Sequence, residues 1–323
     1  MEFIKVTGPA GKSVLAKYGI IRPTKSDMEE TSTAIMEMSQ AAGITQVTDK
    51  ERNPLYTTTY GVGQMIVDAI HKGCRRFIMG IGGSATNDGG IGMLKALGFE
   101  FFDEDGNDVG EGAAALAKIE VIRTENKNPL LSSAKFQIAC DVKNPLCGKQ
   151  GATYIFGPQK GVTEEQKSKV DEAMKHYADV TKESLGCDFA DCEGAGAAGG
   201  LGYAFLSYLA GELIPGVELI LQATGLEEKM KNADVVVTGE GRLDAQTVMG
   251  KAPVGVAALA KKYNAKVIAF AGSVAPEASV CNQAGIDAFF PIVRGVTTLE
   301  EAMKKENAME NIAATAEQVF RLL

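Results

Sequence analysis

The stretch "ADVVVTGEGRLDAQTVMGKAPVGVAALAKKYNAKVIAFAG", Ala233–Gly272, decides the fold class. "ADVVVTGEG" reads as a strand, "VGVAALAKKYN" as a helix and "KVIAFAG" as a second strand. "PEASVCNQAG" and "DAFFPIV" repeat the alternation as helix and strand. Near-continuous apolar strands separated by helices belong to a parallel, doubly wound sheet. A final helix, "TLEEAMKKENAMENIAATAEQVFRLL", closes the chain.

Upstream the texture differs. "EFIKVTGP" and "SVLAKYGII" alternate apolar and polar residues around "GPAGK", which is the pattern of a β-hairpin, and "STAIMEMS" reads as a third strand. "TTTYGVGQMIVDAIHKG" gives a helix, "RRFIMGIG" a buried strand, "GIGMLKALG" a helix, "FEFFDEDGND" a strand entering a turn and "KFQIACDV" a further strand. "TEEQKSKVDEAMKHYADVTKESLG" predicts a long, charged, solvent-facing helix capped at Thr163. The Gly/Ala run in "DCEGAGAAGGLG" fits a linker, a binding turn or close backbone packing before the helix "YAFLSYLAG". The reading is an α/β chain of two domains. A mixed-sheet α/β domain spans 1–195 and carries the "GIGGSATNDGG" loop; a Rossmann-like domain with a parallel sheet spans 196–323.

Composition bounds the function. A chain of 323 residues has room for about two domains. Net charge of −8, no Trp and only 7% aromatics disfavour a nucleic-acid surface, whose footprint is basic. Six scattered Cys with no CxxC pair suggest reduced thiols and a cytoplasmic protein. The close pair in "CDFADC", Cys187 and Cys192, lacks companion metal ligands. No apolar run approaches the ~18 residues of a membrane span.

Two loops carry the chemistry. "GIGGSATNDGG", Gly80–Gly90, lies between a buried strand and a helix, where backbone amides and the helix dipole favour an anion. A Gly-rich turn packed against a neighbour is the plainer alternative. The loop is not GxGxxG, and "GPAGKS" is not a P-loop, because Val6 stands where the first Gly is needed. "VVVTGEGRLDAQTVMGKAPVG" starts at a strand's carboxyl end, where open α/β sheets bind ligands. Glu240, Arg242, Asp244 and Lys251 there suit phosphate plus metal, or else form local ion pairs in a solvated loop. Asp141 ends another strand. His71 and His176 both fall inside predicted helices, so a carboxylate must carry any proton transfer.

"GIGGSATNDGG.GM..ALG", "ACDV.NPLCG..GA...FGPQKG", "GAGAAGGLG" and "TGEGRLDAQT..GKAPVGVA.LAK", in this order along nearly the whole chain, resemble the type I glycerate kinases. The resemblance implies ATP-dependent phosphorylation of D-glycerate to a phosphoglycerate with Mg²⁺, 2-phosphoglycerate being the favoured product. It also implies two α/β domains around a cleft, with the mixed-sheet domain inserted into the Rossmann-like one. The family's usual A-P-D-S-F-K and A-D-G-G-E-G-T loops do not occur here. The Rossmann-like domain is therefore expected to lack its N-terminal strands. The alternative function is an impaired or truncated homologue that only binds an anionic metabolite or nucleotide.

Residue chemistry then suggests roles. Asp88 is the expected acceptor of the glycerate hydroxyl proton, with Arg242 and Asp244 completing the catalytic set. Gly82, Gly83, Ser84, Ala85, Thr86, Asn87, Gly89, Gly90 and Lys251 are expected to bind ATP. Asp141 and Glu240, with Asp244 as a further candidate, are expected to hold Mg²⁺. D-glycerate is the expected partner; neither nucleic acid nor membrane is expected.

Overall fold

The computed structural model describes residues 1–23 and 31–323. The chain forms two compact units, Met1–Gly216 and Val217–Leu323.

In the first unit the described strands are β1 (Glu2–Thr7), β2 (Ser13–Ile21), β3 (Ser32–Glu37), β4 (Cys74–Gly80), β5 (Glu100–Phe102), β6 (Val121–Arg123), β7 (Lys135–Ala139) and β8 (Glu212–Ile214). Six of them make a mixed sheet in the order β1-β2-β3-β4-β7-β8, while β5 and β6 pair apart. β2 pairs antiparallel with both β1 and β3; the pairs from β3 to β8 are parallel. "GPAGK" closes the β1–β2 hairpin, with the Gly8 amide donating to the Lys12 carbonyl at 2.6 Å. Period-2 alternation explains the facing: Val6, Ala16 and Tyr18 enter the core while Phe3 and Leu15 stay exposed.

The core is completed by helices Tyr60–His71, Ile91–Ala96, Glu164–Leu185 and Leu201–Leu209. The long charged helix is not merely solvent-facing. Val170, Ala173, Met174, Tyr177 and Ala178 form a buried stripe at helical spacing. The Gly/Ala run is interior rather than a linker, because the helix after it and β8 both belong to the first unit's core and sheet. This is why the units divide after Gly216 and not at residue 195.

The second unit holds β9 (Val235–Leu243), β10 (Lys266–Val274) and β11 (Ala288–Pro291), a parallel sheet in the order β11-β10-β9. Its core gathers Val236, Val267, Ala269 and Ala271 with Ala257 and Ala260 of helix Ala252–Lys261. β9 runs on through "TGEGRL" to Leu243, so Glu240 and Arg242 sit on the strand itself. "PEASVCNQAG" forms only a short turn at Pro276–Ser279 and one helical turn at Val280–Gln283. The terminal helix divides into Leu299–Ala302 and Lys305–Phe320.

Candidate active site

The register that pairs Gly80 of β4 with Ala139 of β7 makes two chain segments leave the parallel sheet side by side. Ile81–Ser84 follow the first strand and Cys140–Val142 the second, at the carboxyl ends where such sheets bind ligands. With Phe156, Gln159, Lys160, Ala197 and Ala198 they line a cleft of about 250 Å³. Three of the motifs singled out in the sequence thus supply one cavity within the first unit.

The glycine loop divides into two halves with different tasks. Gly82 and Gly83 are exposed at the cleft, and Ser84 borders it. Among the described residues, none of the amides of Gly82, Gly83 and Ser84 is used in an internal hydrogen bond. A Cβ on Gly82 would meet nothing within 4 Å, and its φ is not positive. Neither packing nor backbone conformation requires a glycine there, and the missing Cβ leaves open space beside the cleft.

From Ala85 onward the loop is buried. The Ala85 amide donates to the Ala42 carbonyl and the Gly89 amide to the Gly199 carbonyl, each at 2.9 Å. Asn87 Nδ2 donates to Thr153 Oγ1 at 3.0 Å. Gly89 and Gly90 both have positive φ, and a Cβ on them would press on Tyr177 and Ala204. Ala85, Thr86, Asn87, Gly89 and Gly90 therefore hold the loop in shape and present no free surface to a nucleotide. This corrects the expectation that the entire loop binds the cofactor.

Asp88 is corrected likewise. It is 0% exposed. Its Oδ2 accepts from the Thr59 amide at 2.8 Å, Thr59 Oγ1 at 2.7 Å and the Gly92 amide at 3.4 Å, and its Oδ1 from the Gly90 amide at 3.1 Å. Burial pushes its carboxyl above the usual range, and these donors pull the other way. A general base must reach the proton it removes. Asp88 instead ties the loop to the head of helix Tyr60–His71.

Lys160 was not singled out in the sequence. It ends helix Ala152–Lys160, is 1% exposed, and donates from Nζ to the Thr86 carbonyl at 2.7 Å. It forms no ion pair among the described residues. Burial pulls its ammonium down to about 7 from an ordinary 10.5, opposed by the nearby Asp88. Asp141, on the rim, accepts from the Gly216 amide at 2.8 Å through Oδ1. No other hydrogen bond to its carboxylate is found among the described residues.

In the second unit, Lys251 Nζ lies 3.6 Å from both Glu240 Oε2 and Asp244 Oδ1. Thr247 Oγ1 donates to Glu240 Oε1 at 2.5 Å and accepts from the Asp244 amide at 3.1 Å. Arg242 is 66% exposed, with Nε 3.9 Å from Asp244 Oδ2. The four residues expected to act together are thus together, and the Arg242 fork is open to an anion. Asp141 lies in the first unit and Glu240 in the second, and among the described residues no group of three or more His, Cys, Asp or Glu could hold a metal ion.

The sequence model of the glycerate kinase family matches residues 1–323. The chain belongs to the glycerate kinase family. The chain is 45% identical over 320 residues to a glycerate kinase of Halalkalibacterium halodurans, covering 98% of this chain and 82% of the relative. It is 44% identical over 315 residues to the glycerate 2-kinase of Escherichia coli, covering 96% of this chain and 81% of that one. A crystal structure of a glycerate kinase 2 from Salmonella typhimurium LT2 superposes with a TM-score of 0.84 at 40% identity, covering 99% of this chain and 83% of that one.

For this glycerate kinase family member the mixed α/β reading holds, with one mixed and one parallel sheet. No helix among the described residues is long and apolar enough to cross a membrane. All six cysteines are free. The residue that sequence reasoning missed, Lys160, stands inside the "FGPQKG" motif. Its only signal was a charge at the end of an otherwise weakly polar helix, and neither periodicity nor spacing marks such a residue as buried.

Proposed function

We propose that the protein phosphorylates D-glycerate from ATP in the cytoplasm, giving 2-phosphoglycerate. The observation that carries this reading is the first unit's cleft, where the amides of Gly82–Ser84, unused in hydrogen bonds among the described residues, share a small cavity with the carboxylate of Asp141. Amides suit an anionic group; the carboxylate suits a hydroxyl. Phosphoryl transfer asks little covalent chemistry of the protein and much positioning and charge compensation. Asp141, on the rim with Oδ2 unused among the described residues, accepts the hydroxyl proton in place of the sealed Asp88.

The second unit's cluster suits the nucleotide. Arg242 and Lys251 match phosphate oxygens, and Glu240 with Asp244 fits Mg²⁺, which typically takes one or two carboxylates plus phosphates. Bound there with the nucleotide, the ion would neutralise charge that develops on the transferred group.

The test is the purified chain with ATP, Mg²⁺ and D-glycerate, reading ADP release and the position of the new phosphate by NMR. ADP release and a phosphate on the 2-hydroxyl are expected. A folded protein that binds glycerate without releasing ADP would leave the binding-only alternative standing. Asp141→Asn should lower kcat by about 10²–10⁴-fold with little change in KM. A kcat within a few-fold of wild type would remove Asp141 from the mechanism.

A further inference from the structure

We infer that Lys160 is the cation that binds the acid substrate's carboxylate in the first unit's cleft, and that it takes up a proton as the acid binds. This rests on the proposed glycerate reading for the identity of the acid.

The geometry comes first. Lys160 lines the cleft together with Gly82, Gly83 and Ser84, whose amides make no internal hydrogen bond among the described residues. An ammonium offers three donors, and one of them is directed to the Thr86 carbonyl. Buried lysines are nearly always paired, yet no carboxylate pairs with this one among the described residues. The absence of a Cβ at Gly82 keeps the approach open. A buried cation beside unused amides is a half-site for an anion.

Size and charge select which anion. A cavity of about 250 Å³ suits a three-carbon acid better than a nucleotide. Asp141 on the same rim would repel a multiply charged phosphate and accept a hydroxyl.

Proton uptake follows from the surroundings of Lys160. Asp88 is the acidic group acting on it from the loop. Cys140 and Asp141 face the cleft from the end of β7, and burial keeps the Cys140 thiol protonated. The packed segment Ala197–Gly199 brings no charge, and Tyr177 of the long helix beyond Asp88 stays neutral through burial. With its ammonium titrating near 7, Lys160 is mostly neutral at pH 8.5 and charged at pH 6. An incoming carboxylate stabilises the charged form and draws a proton in.

The experiment is isothermal titration calorimetry of D-glycerate into the full chain, at pH 6 and 8.5, in two buffers of different ionisation enthalpy. Uptake approaching one proton per glycerate is expected at pH 8.5, and almost none at pH 6. Lys160→Met should abolish the uptake and weaken glycerate binding by about 10–100-fold, as for loss of a charged hydrogen bond. ATP affinity should stay within twofold. Wild-type binding at pH 8.5 without uptake overturns the inference and needs no variant. Unchanged glycerate affinity in Lys160→Met, or loss of ATP affinity instead, also overturns it. Turnover plays no part in these readings. A chain that binds glycerate with proton uptake but never releases ADP would fail the kinase reading alone.

Discussion

Single residues in the glycine loop separate ligand contact from architecture. Gly82→Ala should leave the melting temperature unchanged, because its Cβ would enter open space. It should raise KM for glycerate about tenfold, the equivalent of ~1.4 kcal/mol. A mutant with unaltered KM would show that nothing approaches Gly82. Asp88→Asn should act the other way. The amide would bring a donor into a pocket already filled by donors, costing about 1–3 kcal/mol of stability in a urea titration. Lys160→Met tests burial through pH. The folded-state value lies below the unfolded one, so below pH about 7 both states hold the proton and the buried charge costs its full amount. Between about 7 and 10.5 the wild type regains stability as pH rises. The stabilisation given by Met should therefore fall by about 1.4 kcal/mol per pH unit across that window. Equal gains at pH 6 and 9, read from urea midpoints, would mean the ammonium is not buried.

At the scale of elements, the strand–loop–helix unit works because other segments clamp its second half. Gly199 has positive φ, and a Cβ on it would collide with the Thr86 carbonyl. Gly199→Ala should destabilise the protein by about 1–3 kcal/mol and displace the carbonyl that holds Lys160. Loss of stability together with weakened glycerate binding is expected. Full affinity in a destabilised mutant would uncouple Lys160 from the clamp. In the second unit Gly241, between Glu240 and Arg242, is the opposite case: like Gly82, its Cβ would meet open space.

At the scale of the whole molecule, each unit has a hydrophobic core of its own. Units with separate cores tend to melt separately, and then a single unfolding temperature is ill-defined. Scanning calorimetry should show two transitions, with D-glycerate raising the one assigned to Met1–Gly216. That assignment can be made with Lys160→Met, which should abolish the shift. One transition, moved as a whole by glycerate, would mean the units unfold as one.

Local pattern by itself determined the hairpin, the alternation that makes β9, β10 and β11 parallel, the charged cluster after "VVVTG" and the family. Each of these is written in contiguous residues: period 2, apolar runs between helices, and long motifs. The tertiary structure alone decided which parts of those motifs face a ligand. Asp88 and Gly82 stand in one loop and look equally available in sequence. One is sealed by Thr59, twenty-nine positions earlier, and the other is open. Lys160 lines the cleft, and its Nζ is held by the Thr86 carbonyl, seventy-four positions away. The unit boundary lies beyond the Gly/Ala run because β8 pairs with β7. Burial and pairing at such separations depend on how the sheet is ordered, and no local period records that order.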